Sequence, residues 1–400
     1  MPGMLDSRPV TAHLAEMTDW SLTLHASIAE IDPVQWGHCA GDDNPFVAHD
    51  FFLALEESRS VGPESGWLPR YAVLRGDGQI VALAPLFLKA HSYGEYVFDH
   101  GWAQAYEQAG GRYYPKAQIA IPFSPVSGGR LLVSPDMPDA ETIRGLFAQA
   151  LQQACEELGL SSVHMTFCSE DDQNAAVDRG WLPRIGLQYH WENRGYGTFD
   201  DFLETLSSRK RKAIRRERRE AQSCGLVFRT RRGDEITEAD WDGFYAFYQA
   251  TIDRKWGQAY LTRAFFSQLS ERLGTRVVLM QALAGDRPVA GALNLAGTST
   301  LFGRNWGCEG SWPFLHFELC YYRAIDFAIE QGLSRVEAGA QGEHKIQRGY
   351  LPRLTRSAHF IRDPALAGPV AAFLEQEREA ILRERDDLRS LSPFREENIS

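Results

Sequence analysis

The sequence predicts an α/β chain (α+β in its mixed pairing) built from two like units, each a mixed central sheet flanked by helices. Three observations predict this. DRGWLPRIGLQYHW at 178–191 is echoed by QRGYLPRLTRSAHF at 347–360. Each copy follows a strand-like run, SSVHMTF at 161–167 and SRVEAGA at 334–340, and each run follows a long helical stripe that ends in Gly. Further upstream sit two hairpin-like pieces, YAVLRGDGQIVALAPL at 71–86 and VVLMQALAGDRPVAGALNL at 277–295, each with a Gly-Asp turn between apolar strands. Two copies of one unit is the economical reading of this order.

The elements follow along the chain. Residues 1–19 read as a flexible terminus, and 20–195 as the first unit. An insertion at about 89–121, rich in Gly, Tyr and Pro, lengthens that unit by an amount that is uncommon unless functional. PFSPVSGGRLL at 122–132 offers Ser127, Gly128, Gly129 and Arg130 as an anion cradle, because glycine lets the backbone approach and Arg130 adds charge; a Gly-rich turn between strands is the equal rival. The stripe Leu146, Ala150, Ala154 and Leu158 then precedes Gly159.

The second unit, 196–362, opens on SRKRKAIRRERREAQ, eight Arg and Lys in fifteen positions of a chain whose net charge is -11. Its apolar stripe is narrow, so this helix is expected to be largely solvated, with Glu217 and Glu220 offsetting some repulsion. Either the face is only solvated, or Arg209, Arg211, Lys212 and Arg215 clamp an anionic donor. Trp241, Tyr245, Tyr248 and Trp256 could stack a base, but their near-helical spacing is more simply core. Farther on, Leu315, Leu319, Tyr322, Ile325 and Ile329 precede Gly332. Ser311 is placed to cap that helix and Pro313 to sit in its first turn, which would make its opening an anion site. Residues 363–400 read as an amphipathic helix with a charged tail.

AGAQGEHKIQRGYLP is the densest polar stretch. Amide formation needs a base for the ammonium proton and an acid for the leaving group. His344 or Glu343 could supply the first, and His316 or Glu318 a further proton-transfer group. The competing reading makes Glu343 a helix-end charge and His344 an interface histidine. His316 and Glu318, two apart on a helix, are expected to point about 200° from each other. Glu309, Gln341, Lys345, Arg348 and Tyr321 complete the candidate substrate contacts, with Ser357 and His359, which alternate onto one strand face with Thr355; an exposed sheet face would look the same.

Composition narrows the classes. The net charge disfavours DNA binding, which rests on neutralising many phosphates. The opening MPGMLDSRPV lacks a signal-like pattern, and the longest apolar run, IVALAPLFL, is short and broken by Pro85, so no membrane span and a cytoplasmic chain are expected. Cys39, Cys155, Cys168, Cys224, Cys308 and Cys320 form no C-x-x-C pair, and no H-E-x-x-H pattern occurs, so neither a disulfide framework nor a metal site is predicted.

Residues 303–360, together with NPFVAHDFFLALEES at 44–58, PFSPVSGGRLL and the basic run, resemble the signature of the bacterial FemAB-like predicted N-acyltransferases. The repeated unit looks like the acyltransferase fold called GNAT, and two in tandem look like the Fem-type transferases of peptidoglycan assembly. The resemblance covers most of residues 20–374. It implies an N-acyltransferase that moves an acyl or aminoacyl group from acyl-coenzyme A or aminoacyl-tRNA, as co-substrate, to a small-molecule or peptide amine, with no tightly bound cofactor. The R/Q-x-x-G-x-G/A loop of the resembled fold is absent here, and Trp312, Phe314 and Leu315 stand in its place. Two other classes stay open: a noncatalytic module for RNA or an anionic ligand, and a metal- or Cys-dependent hydrolase.

Overall fold

The structure, a computed structural model, describes residues 19–253, 259–339 and 342–395. Trp256, Gln341 and all but Asp19 of the expected flexible terminus lie outside the described residues. The strands are β1 (Trp20–His25), β2 (Trp67–Pro69), β3 (Tyr71–Gly76), β4 (Gln79–Ala84), β5 (Leu86–Lys89), β6 (Lys116–Ile119), β7 (Leu132–Val133), β8 (Ser162–Cys168), β9 (Leu182–Glu192), β10 (Val227–Arg232), β11 (Val277–Ala284), β12 (Arg287–Ala296), β13 (Thr300–Cys308), β14 (Arg335–Glu337) and β15 (Leu351–Ile361).

Two compact units result, but not at the expected boundaries of 195 and 362. The first takes residues up to 41, 46–186 and 355–381; the second takes 42–45, 187–354 and the chain from 382 on. The last strand of each sequence repeat therefore completes the other repeat's unit. His190, Trp191 and Glu192 of β9 pair with β14, and Arg356 to Ile361 of β15 pair with β8. A strand's alternation selects which face is buried and says nothing about which neighbour supplies the ladder, so this exchange leaves no mark in the pattern.

In the first unit, β3 and β4 form the expected hairpin within the order β1-β3-β4-β7. Pro85, which has no N–H to give a ladder, separates β4 from β5, and β5 joins the order β2-β5-β6-β8-β15. One face of these strands is apolar. Leu86, Leu88, Ala117, Ile119, Val163, Met165 and Ala358 pack with Ile143, Phe147, Leu151 and Ala154 of the helix Ala140–Glu157, which Asp139 caps through the Thr142 amide. Each such large side chain, fully buried, stabilises by about 1.5–3 kcal/mol. The opposite face carries Lys89, Lys116, Gln118, His164, Ser357 and His359. Thr355, Ser357 and His359 are 7, 4 and 1% exposed, so the reading of TRSAHF as an open sheet face does not hold.

In the second unit the strand order is β10-β11-β12-β13-β14-β9, with the predicted hairpin as β11 and β12. The parallel pair β13/β14 keeps register only over Thr300–Phe302 and Arg335–Glu337, after which β13 runs on to Cys308. The helix Glu238–Asp253 lies against that extension: a Cβ on Gly307 would stand 2.5 Å from the Phe247 carbonyl oxygen, which only glycine avoids. Trp241 and Tyr248 are buried there and, with Tyr245, pack around Phe266, as core rather than as a base-stacking platform.

Candidate active site

The helix expected over 313–331 begins later and is irregular. Phe314, at φ 55°, precedes Leu315–Phe317; a π-helical turn at Glu318–Tyr322 follows, then Arg323–Glu330. Ser311 is exposed and caps nothing, so the anion site expected at the helix opening is not formed by it. A π turn adds one residue per loop of helix and is found disproportionately at functional positions. Here it sends Tyr321 and Tyr322 to different partners.

Tyr321 meets the turn that follows β14. Gly339 and Gly342 take positive φ (76° and 102°) and reverse the chain into the 3-10 turn Glu343–Arg348, which replaces the α-helical turn considered from sequence. A Cβ on Gly342 would lie 2.4 Å from the His344 ring, so glycine is what leaves that ring its place. Ile346 and Tyr350, both 0% exposed, anchor the turn. His344 is exposed; its Nε2 lies 3.0 Å from the Tyr321 hydroxyl. Its ring packs 5.5 Å from Phe317 and 6.1 Å from His316, which rests on Trp306 at 5.1 Å and Tyr321 at 5.2 Å.

Both imidazoles favour the neutral form. Burial, then His344, Lys345 and Arg348, pushes His316 down to about 4. Partial burial, then the positive charges of Arg348 and Lys345, lowers His344. A neutral imidazole with a free nitrogen can accept a proton, and burial raises the Tyr321 phenol, which therefore stays protonated as a donor.

The other candidates around this pair are already engaged. Lys345 donates to the Ala338 carbonyl at 2.5 Å and the Gly339 carbonyl at 3.2 Å; burial lowers it to about 8, and it clamps the turn rather than reaching outward. Arg348 stacks 3.4 Å over Phe317, donates to the His344 carbonyl at 2.7 Å, and pairs with both Glu217 oxygens at 2.8 and 2.9 Å. Glu318, 0% exposed, accepts from Arg218 at 3.1 and 3.2 Å and from Gln222 at 3.1 Å, with Arg323 at 3.4 Å. His316 and Glu318 thus diverge as their spacing predicts, and the Glu318 carboxylate is filled by cations instead of facing a substrate.

Glu217 is the residue that sequence reasoning missed. It accepts from the Tyr322 hydroxyl as well as from Arg348, so the basic helix Ser208–Gln222 docks on the π turn through its own acid. Ile214, Glu217, Arg218 and Ala221 recur at i, i+3, i+4 and i+7, a buried stripe that was available as a signal. Outward, Arg209, Lys212 and Arg219 are exposed and Lys210 and Arg211 half-buried, and none of the five has a carboxylate partner among the described residues. Arg215 pairs with Asp200 at 2.8 Å, and an open groove of about 590 Å³ lies beside it, lined by Asp201, Glu204, Thr205, Arg211, Arg215 and Arg395.

Arg130 is 0% exposed and donates to the carbonyls of Thr166, Val126, Gly128 and Gly129 at 2.5–3.2 Å, while the Gly128 amide is taken by the Phe167 carbonyl. The Arg130 guanidinium and the Gly128 amide are therefore spent on backbone carbonyls instead of an anion. Glu309 is exposed and pairs with Arg287 at 3.1 Å, and Glu343 is exposed. Gln341 lies outside the described residues. Ser357 and His359 belong to the first unit. No group of three or more His, Cys, Asp or Glu among the described residues could hold a metal, and no described helix is long and apolar enough to cross a membrane.

Comparison places this architecture. The family model FemAB-like, described as peptidoglycan biosynthesis/recognition, matches residues 27–396. The crystal structure of FemX superposes with a TM-score of 0.52 at 11% identity, covering 87% of this chain and 99% of that one. L-PGS from Bacillus licheniformis gives 0.50 at 11%, over 84% and 97% of the two chains. The C-terminal domain of a putative lysylphosphatidylglycerol synthetase from Agrobacterium fabrum gives 0.52 at 9%, over 89% and 98%. At these identities the likeness speaks for the fold alone. No curated protein matches the chain.

Proposed function

Because the chain belongs to the FemAB-like family, we propose that its second unit transfers an acyl or aminoacyl group from an activated donor to an amine. The observation that carries this is the His344–Tyr321 hydrogen bond, 3.0 Å long and set where β13 and β14 part. In this reading His344 takes the proton of the acceptor ammonium and frees the nitrogen lone pair. The new N–C bond forms as the donor's C–S or C–O bond breaks, and the second ammonium proton passes from the amide nitrogen to solvent. Tyr321 gives its proton to the departing sulfur or oxygen, and the imidazolium restores it through their shared hydrogen bond. Arg348 and Glu217 act through His344: they fix its backbone and the Phe317 ring against which it packs.

The basic helix favours aminoacyl-tRNA over acyl-coenzyme A as donor. Arg209 and Arg219 stand ten residues apart, about 15 Å along a helix, and unpaired cations over that length exceed what one pyrophosphate engages. Bulky Trp312 and Phe314 in place of a glycine-rich phosphate loop weigh the same way. Binding to bulk tRNA should therefore fall steeply with salt. Replacing Arg209, Lys210, Arg211 and Lys212 by Ala should flatten the log–log salt slope by about 0.7–0.9 for each phosphate that is no longer neutralised. An unchanged slope, measured by fluorescence anisotropy, would move the donor away from RNA. Tight RNA binding without any acyl transfer would instead favour the noncatalytic module.

A further inference from the structure

The first unit holds a buried ionisable cluster that the transfer reaction does not use. On adjacent strands Lys89 and Lys116 stand directly opposite each other, both 0% exposed. Like charges so placed repel, and burial keeps bulk solvent from screening them. Their counter-charges come from outside the sheet, from the insertion between β5 and β6. Glu95 and Asp99 reach the Lys116 ammonium at 2.7 and 2.5 Å, and Glu95 lies 3.8 Å from Lys89. Tyr113 donates to Asp99 at 2.6 Å and stands 3.3 Å from His164, whose Nδ1 meets that of His359 at 2.8 Å. The chain of contacts then stops. His359 Nε2 and Asp99 Oδ1 are buried without a hydrogen-bond partner.

Over residues 92–99 the covering segment is inside out, whereas farther on it buries Trp102, Ala103 and Tyr113 with Ile361, Leu366 and Val370. The 92–99 stretch buries Ser92, Glu95 and Asp99 and leaves Tyr93, Tyr96 and Phe98 at 60, 41 and 61% exposure. A segment folded only to close a core does the reverse. The internal repeat adds a comparison: His190 occupies in the second unit the repeat position of His359, yet there β12 and β13 are joined by residues 297–299 alone, too few to form such a cover. Burial also raises Glu95 to about 7 and lowers Lys89 to about 7, whereas Lys116 holds Asp99 well below the usual carboxylate range, so of the ties between cover and sheet the Glu95–Lys89 contact is the weaker near neutrality.

We propose that this sheet face is a second ligand site, which takes a small molecule through a carboxylate that replaces those of Glu95 and Asp99 when residues 90–99 lift. The two lysines receive the carboxylate, and His359 Nε2 faces a polar group of the same ligand. The inference stands independently of the transferase reading, since none of its residues belongs to the second unit.

Acetate is the simplest probe, with chloride at matched ionic strength as control and inorganic phosphate as the alternative anion. Replacing Glu95 by Gln and Asp99 by Asn together should tighten acetate binding at least tenfold over the intact chain in an NMR titration, and adding Lys89→Met and Lys116→Met should abolish it. A folded E95Q/D99N chain with no saturable acetate response refutes the proposal, as does a preference for phosphate. If that chain does not fold, hydrogen exchange on the unaltered protein decides. Amides of 92–99 exchanging at least tenfold faster than those of β6 and β8, and slowed by acetate, support a cover that lifts. Exchange of cover and strands as one unit means a purely structural ion cluster and overturns it.

Discussion

Replacing His344 by Gln is expected to lower acyl transfer by about 10²–10⁴-fold in kcat, the range that a positioned general base supplies. KM for the donor should change little, because the ring touches no group that would hold it: its neighbours are Tyr321, Phe317 and His316. Tyr321→Phe removes only the proton relay and should cost less. The pH profile gives a signature that a structural role would not. Transfer should rise with pH and level off below the ordinary imidazole value of about 6.5, since partial burial and the nearby Arg348 and Lys345 charges depress His344. Arg348→Met takes away one of those charges and loosens the turn. The acid limb should then move up in pH while the maximum falls. A limb that stays fixed in all these variants would remove His344 from the reaction.

Glu318→Ala is expected to be among the most destabilising single changes in the second unit, by about 3–5 kcal/mol. The carboxylate is 0% exposed and is the common partner of Arg218, Arg323 and Gln222, so its loss leaves two largely buried guanidinium groups uncompensated. Asp326, 2.5 Å from Arg218, recovers part of the deficit, which argues for the lower end of the range. Urea midpoints read the effect directly. Glu318→Gln separates this role from catalysis: it keeps the shape and some of the hydrogen bonds, so stability should drop less and transfer should persist. A Gln variant that is stable and inactive would return Glu318 to the proton-transfer group that its neighbourhood in the sequence suggested.

Much of the architecture was legible because it is carried by local chemistry. Gly159 and Gly332 end their helices, Gly-Asp turns close both hairpins, and the echo of 178–191 in 347–360 marks the repeat. The exchange of β9 and β15 was not, because ladder partners are chosen by tertiary packing. At the site, His344 stood out by residue type and context. What the sequence could not assign was which charges face inward. Arg130, Arg348, Lys345 and Glu318 look like ligand contacts in one dimension, and each is consumed by backbone or by an opposite charge once folded. Glu217 is the converse case, an apparent surface charge that the i, i+3, i+4 stripe turns toward Arg348. Ser311 failed for a backbone reason: Phe314 takes a left-handed conformation, and the helix starts after it.

The central claim is that the His344–Tyr321 pair serves amide formation. It is tested most directly by single-turnover transfer from radiolabelled aminoacyl-tRNA, with acyl-coenzyme A in parallel, to a primary amine, comparing the intact chain with its H344Q variant at matched folding. The account predicts amide product from the intact chain and a rate at least a hundredfold lower from the variant. Equal rates in the two proteins, or product from neither donor while both still bind, would contradict it.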